Sequence, residues 1–360
     1  MALSPKPGVL EITPYIGTRA EPGVRLHQLS ANECALGPSP AAVDAYRVAA
    51  KEIAFYPDGG THVLREAIGE VHGLNPDRIV CGNGSDELLT LLANAYLNPG
   101  DEVLFSEHAF LVYRIATLAN SAVPVVVPEP DLRVDVDAVL ARVTAKSRLV
   151  YIANPNNPTG TYLSGEELHR LHDGLPGDAL LVIDSAYAEF VRRNDYESGV
   201  EMVSRFDNVV MTRTFSKAYG LAGLRVGWAF CPAAVADVLN RVRGPYNVSV
   251  AAQAAAAAAL RDHAHLESAV AHNEIWRHWL ASEIRKLGLI VDEGVGNFVL
   301  IHFLKDGPHN ARAADGFLLK HGVALRPVGA YGLPHCLRAT IGLEEANRAA
   351  VAALAEFLKT

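Results

Sequence analysis

The sequence has few cysteines, no long apolar run and no excess of positive charge. Its four cysteines (Cys34, Cys81, Cys231 and Cys336) are scattered and form no CxxC pair, so neither a disulfide framework nor a zinc site is expected. No apolar run approaches the roughly 20 residues that span a bilayer. The formal net charge of -8 argues against nucleic acid as a partner. The first residues lack the charged start and apolar segment of a secretory signal, and a cytoplasmic protein with reduced thiols is expected.

Apolar segments that are typical of buried strands alternate with helical patterns through the first two thirds of the chain. Such alternation predicts an α/β domain with a mostly parallel sheet sandwiched by helices. Ligands of such sheets bind beyond the carboxyl ends of the strands. The predicted strands cover residues 101–105, 124–128, 148–154, 179–187 and 208–215.

The pattern changes after about residue 245, where a long helix precedes short strands that have helices between them. We therefore expect a large domain over residues 46–243 and a smaller α+β domain over 244–360. Residues 1–45 are expected to form an N-terminal arm that joins the small domain. The alanine-rich segment 248–262 favours helix and is expected to continue into the long helix that follows.

The segment RTFSKAYGLAGLRVGW, residues 213–228, surrounds one lysine with small residues. Thr214 and Ser216 precede Lys217, three glycines follow it, and Arg225 comes eight positions later. Glycines allow a flat ligand to approach closely, and hydroxyls and arginine bind phosphate well. The segment therefore predicts a lysine beside a bound anion, although a solvated loop is the simpler alternative.

Three further motifs carry polar residues at predicted strand or helix ends. GNGSDELL places Gly84, Ser85 and Asp86 at a helix N-terminus, which favours an anion but is also typical of simple capping. NPNNPTG follows a strand and presents Asn157, with a plain turn as the alternative. VIDSAYAEF ends an apolar strand at Asp184, where a buried carboxylate needs a cation unless it caps a helix.

One lysine, one buried aspartate, Asn157, Tyr187 and an anion site are together the parts that hold pyridoxal 5'-phosphate. The lysine forms a Schiff base with the cofactor aldehyde, and the aspartate keeps the ring nitrogen protonated. In order and spacing, these motifs resemble the fold-type I aminotransferases over essentially the whole chain. That resemblance implies a large α/β domain and a smaller α+β domain.

The resemblance also assigns roles around the cofactor ring. It implies that Lys217 is the Schiff-base lysine and the proton shuttle, and that Asp184 pairs with the ring nitrogen. Tyr187 and Asn157 are expected to contact the 3-hydroxyl group. Phe110 is expected to stack on the ring, at a position where family members often have tyrosine. The residues expected to hold the phosphate are Ser85, Thr214, Ser216, Arg225 and the backbone of Gly84 and Asp86.

Four segments resemble histidinol-phosphate aminotransferases more narrowly: ITPYIGTR, SANECALGPSP (30–40), FYPDGG (55–60) and GVALRPVGAYGLPHCLRATIG (322–342). In the second segment Cys34 and Ala35 depart from the usual asparagine and proline. The implied reaction is transamination between L-histidinol phosphate and 2-oxoglutarate, two small-molecule substrates, in histidine biosynthesis.

The same resemblance predicts the substrate contacts. Arg338 is expected to bind the anionic end of both substrates, because its planar guanidinium fits carboxylate and phosphate alike, with help from Arg326. Tyr15 and Asn32 are expected to complete the substrate site. The tyrosine that matches Tyr56 comes from the other subunit in the family and reaches the cofactor phosphate, so a homodimer is expected.

Other functions remain as alternatives. An aromatic amino-acid aminotransferase, acting on phenylalanine or tyrosine with or without histidinol phosphate, is the main one; threonine-phosphate decarboxylase is another. An aminotransferase-like transcription regulator would need a basic DNA-binding domain ahead of the enzyme motifs. No metal site is expected, because the histidines at 263, 265, 272 and 278 follow the pattern of a polar helix face and no HExxH occurs.

Overall fold

The structure is a computed structural model that describes residues 3–14 and 26–360. Tyr15, one of the predicted substrate contacts, lies outside the described residues. The strands, numbered in chain order, are β1 (His27–Gln28), β2 (Ile79–Gly82), β3 (Glu102–Ser106), β4 (Val123–Val127), β5 (Ser147–Ala153), β6 (Leu180–Asp184), β7 (Val209–Thr214), β8 (Gly227–Phe230), β9 (Ile290–Asp292), β10 (Phe298–His302), β11 (Val323–Ala324), β12 (Arg326–Pro327) and β13 (Cys336–Thr340).

The α-helices surround and connect these strands. They are α1 (Pro40–Ala49), α2 (His62–His72), α3 (Ser85–Tyr96), α4 (Leu111–Ala119), α5 (Val136–Leu140), α6 (Gly165–Asp173), α7 (Val200–Arg205), α8 (Ala233–Val242), α9 (Val250–Arg261), α10 (His263–Lys286), α11 (Ala311–Lys320) and α12 (Glu344–Phe357).

The large sheet has the spatial order β2-β8-β7-β6-β5-β3-β4. Only β8 runs against its neighbours, and the remaining pairings between adjacent strands are parallel. Strands β5 and β6 are buried along almost their whole length, as expected for a sheet covered by helices on both faces. The predicted α/β fold with a mostly parallel sheet is therefore confirmed.

A smaller antiparallel sheet has the order β12-β13-β10-β9. Its apolar face packs in a separate cluster with α10, α11 and α12, through residues such as Ile284, Leu318 and Leu354. Strand β1 pairs in parallel with β11, so the residues just before position 30 are attached to the C-terminal part of the chain.

The alanine-rich segment forms α9, which ends at Arg261 instead of continuing into α10 as predicted. Asp262 lies between the two helices with non-helical backbone angles, and its carboxylate accepts a hydrogen bond from the His265 amide at 3.1 Å. The alanines of α9 pack in the core of the large sheet, where their small side chains allow close approach of α1 and α2. The predicted domain boundary after residue 243 stays a prediction.

Within residues 3–14 and 26–360, none of the helices combines the length and the apolar character needed to cross a bilayer.

Candidate active site

A cavity of about 430 Å³ lies beyond the carboxyl ends of β5, β6 and β7, where the sequence predicts ligand binding. The parallel strands bring motifs that are distant in the sequence to one edge of the sheet. Most of the predicted site residues line this cavity: Asn32, Ser85, Asp86, Phe110, Asn157, Asp184, Tyr187, Thr214, Ser216, Lys217, Arg225, Arg326 and Arg338.

Lys217 lies three residues beyond the end of β7, and its amine enters the cavity. The Nζ atom donates to the carbonyl of Ala31 at 3.1 Å and lies 5.7 Å from the centre of the Tyr187 ring. Burial, followed by the positive charge of Arg338, lowers the pKa of Lys217 to about 8. About half of this amine is therefore neutral at pH 8, whereas an ordinary lysine stays almost fully protonated there, and a nucleophile or a base requires the neutral form.

Asp184 is the last residue of β6 and is 5% exposed. Its two carboxylate oxygens accept hydrogen bonds from Tyr113 Oη at 2.8 Å and Thr212 Oγ1 at 3.2 Å. Burial, with a smaller contribution from the charge of Asp86, raises the pKa of Asp184 to about 6. Among the described residues, Asp184 takes part in no ion pair with a cationic side chain. A buried carboxylate in this setting is suited to a cationic group of a ligand.

The predicted phosphate site forms where α3 begins and β8 approaches. Arg225 Nη1 donates to Ser216 Oγ at 3.2 Å, and the Thr214 and Ser216 hydroxyls are 3.0 Å apart. Arg225 Nη2 also pairs with the Asp86 carboxylate at 3.2 Å. Gly84, which caps α3, has a φ of +82°, and a Cβ there would lie 2.5 Å from Arg225 Nη2. Hydroxyls, a guanidinium and a helix N-terminus thus converge, and such a donor set fits a phosphate.

Arg338 and Asn157 meet at the wall of the same cavity. Arg338, in β13, is 5% exposed; its Nη1 donates to Asn157 Oδ1, and its Nη2 donates to the Ser30 carbonyl at 2.7 Å. Arg326 of β12 lies directly across from Arg338 in the small sheet, so both arginines line the cavity. Two cationic side chains from the small sheet are therefore candidates for a second anion site, in addition to that of Arg225.

Aromatic and amide groups also line the cavity. Asn32 is buried and donates from Nδ2 to Tyr187 Oη at 2.8 Å. Burial raises the pKa of Tyr187 to about 12, so its hydroxyl keeps its proton at neutral pH. Phe110 lines the cavity just before α4, with its ring edge-on to Tyr113 at 6.0 Å.

Tyr56, which is among the described residues, does not line this cavity within one chain. Tyr56 is 82% exposed and stacks on Tyr246 at 4.6 Å between ring centres. Of the four helix histidines, His265 and His272 approach the carbonyl oxygens of Gly37 and Gly342 at 3.1 and 3.0 Å. These contacts are consistent with a helix face that packs on the rest of the chain.

Sequence reasoning missed two residues at the site, Tyr113 and Thr212, which hold Asp184. Tyr331, which the sequence offers as a contact for an aromatic substrate, lines the cavity while nearly buried. Both missed residues had a detectable signal. Tyr113 follows Phe110 by three positions at the start of a helix, so both lie on one face. Thr212 precedes Thr214 by two positions in a strand, which places both side chains on one face of the sheet.

Comparisons with known proteins agree with this geometry. The family model described as aminotransferase class I and II matches residues 25–354. A curated histidinol-phosphate aminotransferase of Rhodopseudomonas palustris (strain BisB18) is 55% identical over 98% of both chains. The structure of the Sinorhizobium meliloti histidinol-phosphate aminotransferase in complex with pyridoxal-5'-phosphate is 31% identical, with a TM-score of 0.88, and covers 93% of this chain and 92% of its own.

A more distant solved structure, Thermus thermophilus aspartate aminotransferase with maleate, is 25% identical with a TM-score of 0.80 over 93% of this chain and 92% of its own. The family match and the pyridoxal phosphate in the Sinorhizobium structure imply dependence on that cofactor. The chain belongs to the class I and II aminotransferase family, and its relatives include histidinol-phosphate aminotransferases.

Proposed function

We propose that this chain catalyses transamination between L-histidinol phosphate and 2-oxoglutarate, giving imidazole-acetol phosphate and glutamate, in histidine biosynthesis. The observation that carries the proposal is the presence of two anion sites in one cavity, at Arg225 and at Arg338 with Arg326. One site can hold a cofactor phosphate while the other binds the anionic end of a substrate. The high identity to proteins named histidinol-phosphate aminotransferase supports the choice of substrate.

The residues present fit pyridoxal 5'-phosphate. Ser85, Thr214, Ser216 and Arg225 would hold its phosphate, and Asp184 would supply the negative charge that a protonated ring nitrogen needs. When bound, the cofactor supplies an electron sink for the bonds at the substrate Cα.

The chain itself supplies the acid–base chemistry and the orientation of the substrate. The neutral Nζ of Lys217 accepts the proton that leaves the substrate Cα and later returns it, a role that suits an amine with a pKa of about 8. Arg338, which is fixed by Asn157 and the Ser30 carbonyl, binds the phosphate of one substrate and a carboxylate of the other. Its rigid position serves both half-reactions, since the two anions present similar oxygens.

The test is a comparison of half-reactions. The protein purified with its cofactor is mixed with histidinol phosphate or with phenylalanine, and the absorbance of the lysine-bound cofactor is followed. Both compounds present an anion to Arg338, a phosphate in one and a carboxylate in the other, so the comparison tests how the rest of the cavity fits each compound. Histidinol phosphate is expected to react more efficiently than phenylalanine. Equal or faster conversion by phenylalanine would favour the aromatic aminotransferase instead.

We also propose a homodimer in which Tyr56 contributes to the partner's cofactor site. A single chain leaves a row of large apolar side chains facing solvent between residues 46 and 56, with Ile53 and Phe55 at least 70% exposed. Exposed apolar surface of this kind is typical of an interface.

Mixed dimers test the assignment of Tyr56. Chains carrying Lys217→Ala are mixed with chains carrying Tyr56→Ala at limiting cofactor, after light scattering has established the oligomeric state. If Tyr56 serves the partner's site, each hybrid dimer retains one site with both residues intact, and activity is recovered. No recovery, in a mixture shown to exchange subunits, would contradict the assignment.

A further inference from the structure

We propose that His302, His335 and Cys336 form a binding site for one zinc ion, on the small sheet and outside the active-site cavity. One potential ligand atom from each side chain lies within 4.8 Å of the others. The proposal does not depend on the proposed function, because none of the three residues lines the active-site cavity.

Strand pairing brings these residues together. His302 ends β10 and Cys336 begins β13, and the antiparallel register places the two residues directly opposite each other. The Phe303 amide donates to the His335 carbonyl at 2.9 Å, so the backbone around His335 is also fixed. Cys336 Sγ lies 3.3 Å from His302 Nδ1. In a tetrahedral zinc site, with zinc–sulfur and zinc–nitrogen distances of about 2.3 and 2.0 Å, a sulfur and a nitrogen ligand lie roughly 3.5 Å apart.

The other nitrogen of His302 supports the same conclusion. His302 Nε2 lies 2.6 Å from Asp292 Oδ2, on the adjacent strand β9. Because a carboxylate accepts, Nε2 carries the hydrogen in the neutral ring, and the lone pair of Nδ1 faces the thiol. A histidine that binds zinc through one nitrogen and donates from the other to a carboxylate is a recurring arrangement, since the carboxylate fixes the ring and raises its basicity.

The ligand atoms select the ion. Two imidazole nitrogens and one thiolate suit zinc, whereas magnesium and calcium require oxygen ligands. A water molecule would complete the tetrahedron, because His302 and His335 lie near the surface while Cys336 is 1% exposed. Binding would release the Cys336 thiol proton to solvent.

The site lies next to a segment that reaches the active site. Residues 328–335 connect β12 to β13 and carry Tyr331, which lines the active-site cavity. His108 Nδ1 lies 2.6 Å from the Tyr331 carbonyl. A zinc ion held by His335 would attach the end of this segment to β10.

Direct metal titration tests the proposal. The protein with its cofactor, freed of metal by a chelator and kept reduced, is titrated with Zn²⁺ by calorimetry. A separate zinc-free sample is titrated with Co²⁺, whose visible bands report tetrahedral sulfur and nitrogen ligation at longer wavelengths than the cofactor absorbs. We expect one ion per chain with micromolar or tighter affinity. Absence of stoichiometric Zn²⁺ binding would overturn the proposal and leave a plain cysteine–histidine hydrogen bond.

Variants locate the ion. His335→Asn and Cys336→Ser should each abolish the Co²⁺ bands, and Asp292→Asn should weaken Zn²⁺ binding roughly 10- to 100-fold through the orientation of His302. His321→Asn is the control, because this half-exposed histidine of the same domain lies outside the cluster. If Cys336→Ser does not fold, His335→Asn and Asp292→Asn still show whether the ion binds at this cluster. Unchanged binding in His335→Asn and Asp292→Asn, with melting temperatures like that of the parent, would place the ion elsewhere and refute the site.

Discussion

Replacing Tyr113 with phenylalanine removes one hydrogen-bond donor from Asp184 and changes little else in shape. Tyr113 is fully buried, and its hydroxyl donates to Asp184 Oδ2 at 2.8 Å. A hydrogen bond to a charged group contributes about 1.5–3 kcal/mol, and one pH unit of pKa corresponds to about 1.4 kcal/mol. The loss should therefore raise the pKa of Asp184 by about 1 to 2 pH units.

The sign of the effect follows from the charge that the reaction needs. Asp184 acts as a carboxylate, so activity is lost as the pH falls through its pKa, and a higher pKa moves this acidic limb to higher pH. We expect the limb in the pH profile of kcat for Tyr113→Phe to lie about 1 to 2 pH units above that of the parent enzyme.

Tyr151→Phe is a matched control for this experiment. Tyr151 is also buried and stacks on Tyr113 with ring centres 4.7 Å apart, but its hydroxyl donates to the Leu89 carbonyl. Removal of the Tyr151 hydroxyl should leave the pH profile unchanged, while it lowers the free energy of unfolding about as much as removal of the Tyr113 hydroxyl does. Identical limbs for the two variants would refute the reasoning, because the effect would then come from the core and not from the hydrogen bond to Asp184.

Three further predictions concern the lysine, the substrate arginine and the glycine of the phosphate site. Lys217→Ala should lower turnover by at least about 100-fold, because the proton-transfer group is removed. Single-turnover kinetics with added cofactor would check this, and a near-normal rate would contradict it. Arg338→Lys should raise the KM for histidinol phosphate about 10-fold or more by loss of the bidentate contact, as measured by steady-state kinetics; an unchanged KM would argue against substrate binding there. Gly84→Ala should weaken cofactor binding, measured by equilibrium dialysis, because the added Cβ would displace Arg225. Gly100→Ala is the control, because Gly100 also has a positive φ (+88°) but has open space around it, so this variant shares only the backbone cost of about 1–2 kcal/mol. Equal cofactor affinity in the two glycine variants would show that contact with Arg225 is not the cause.

The sequence was sufficient to predict the residues that lie at strand ends. Asp184 ends one apolar strand and Lys217 lies three residues beyond the end of the next, and parallel strands bring such positions to one edge of the sheet. For these residues, the position at the end of a strand in the sequence was therefore enough to predict their location at the edge of the sheet.

Contacts between distant segments could not be predicted in the same way. The hydrogen bond from Arg338 to Asn157 and the proximity of His302 to Cys336 depend on packing and on strand register, which leave no local pattern. The end of α9 was missed for a related reason. Asp262 caps the next helix with its side chain, but the strong helix propensity of the alanines before it hid that signal.

The hydrogen bonds of Arg338 have a consequence for how substrate preference can change. This guanidinium joins three parts of the chain: its own strand, the Asn157 turn and the backbone at Ser30. A substitution of Arg338 would alter the substrate site and also release two groups that it holds. New specificity is therefore more accessible through Arg326, which is less buried and lies across from Arg338 on the edge strand β12. Substitutions at the edge of the small sheet can then change the substrate site while the hydrogen bonds of the buried arginine are left in place.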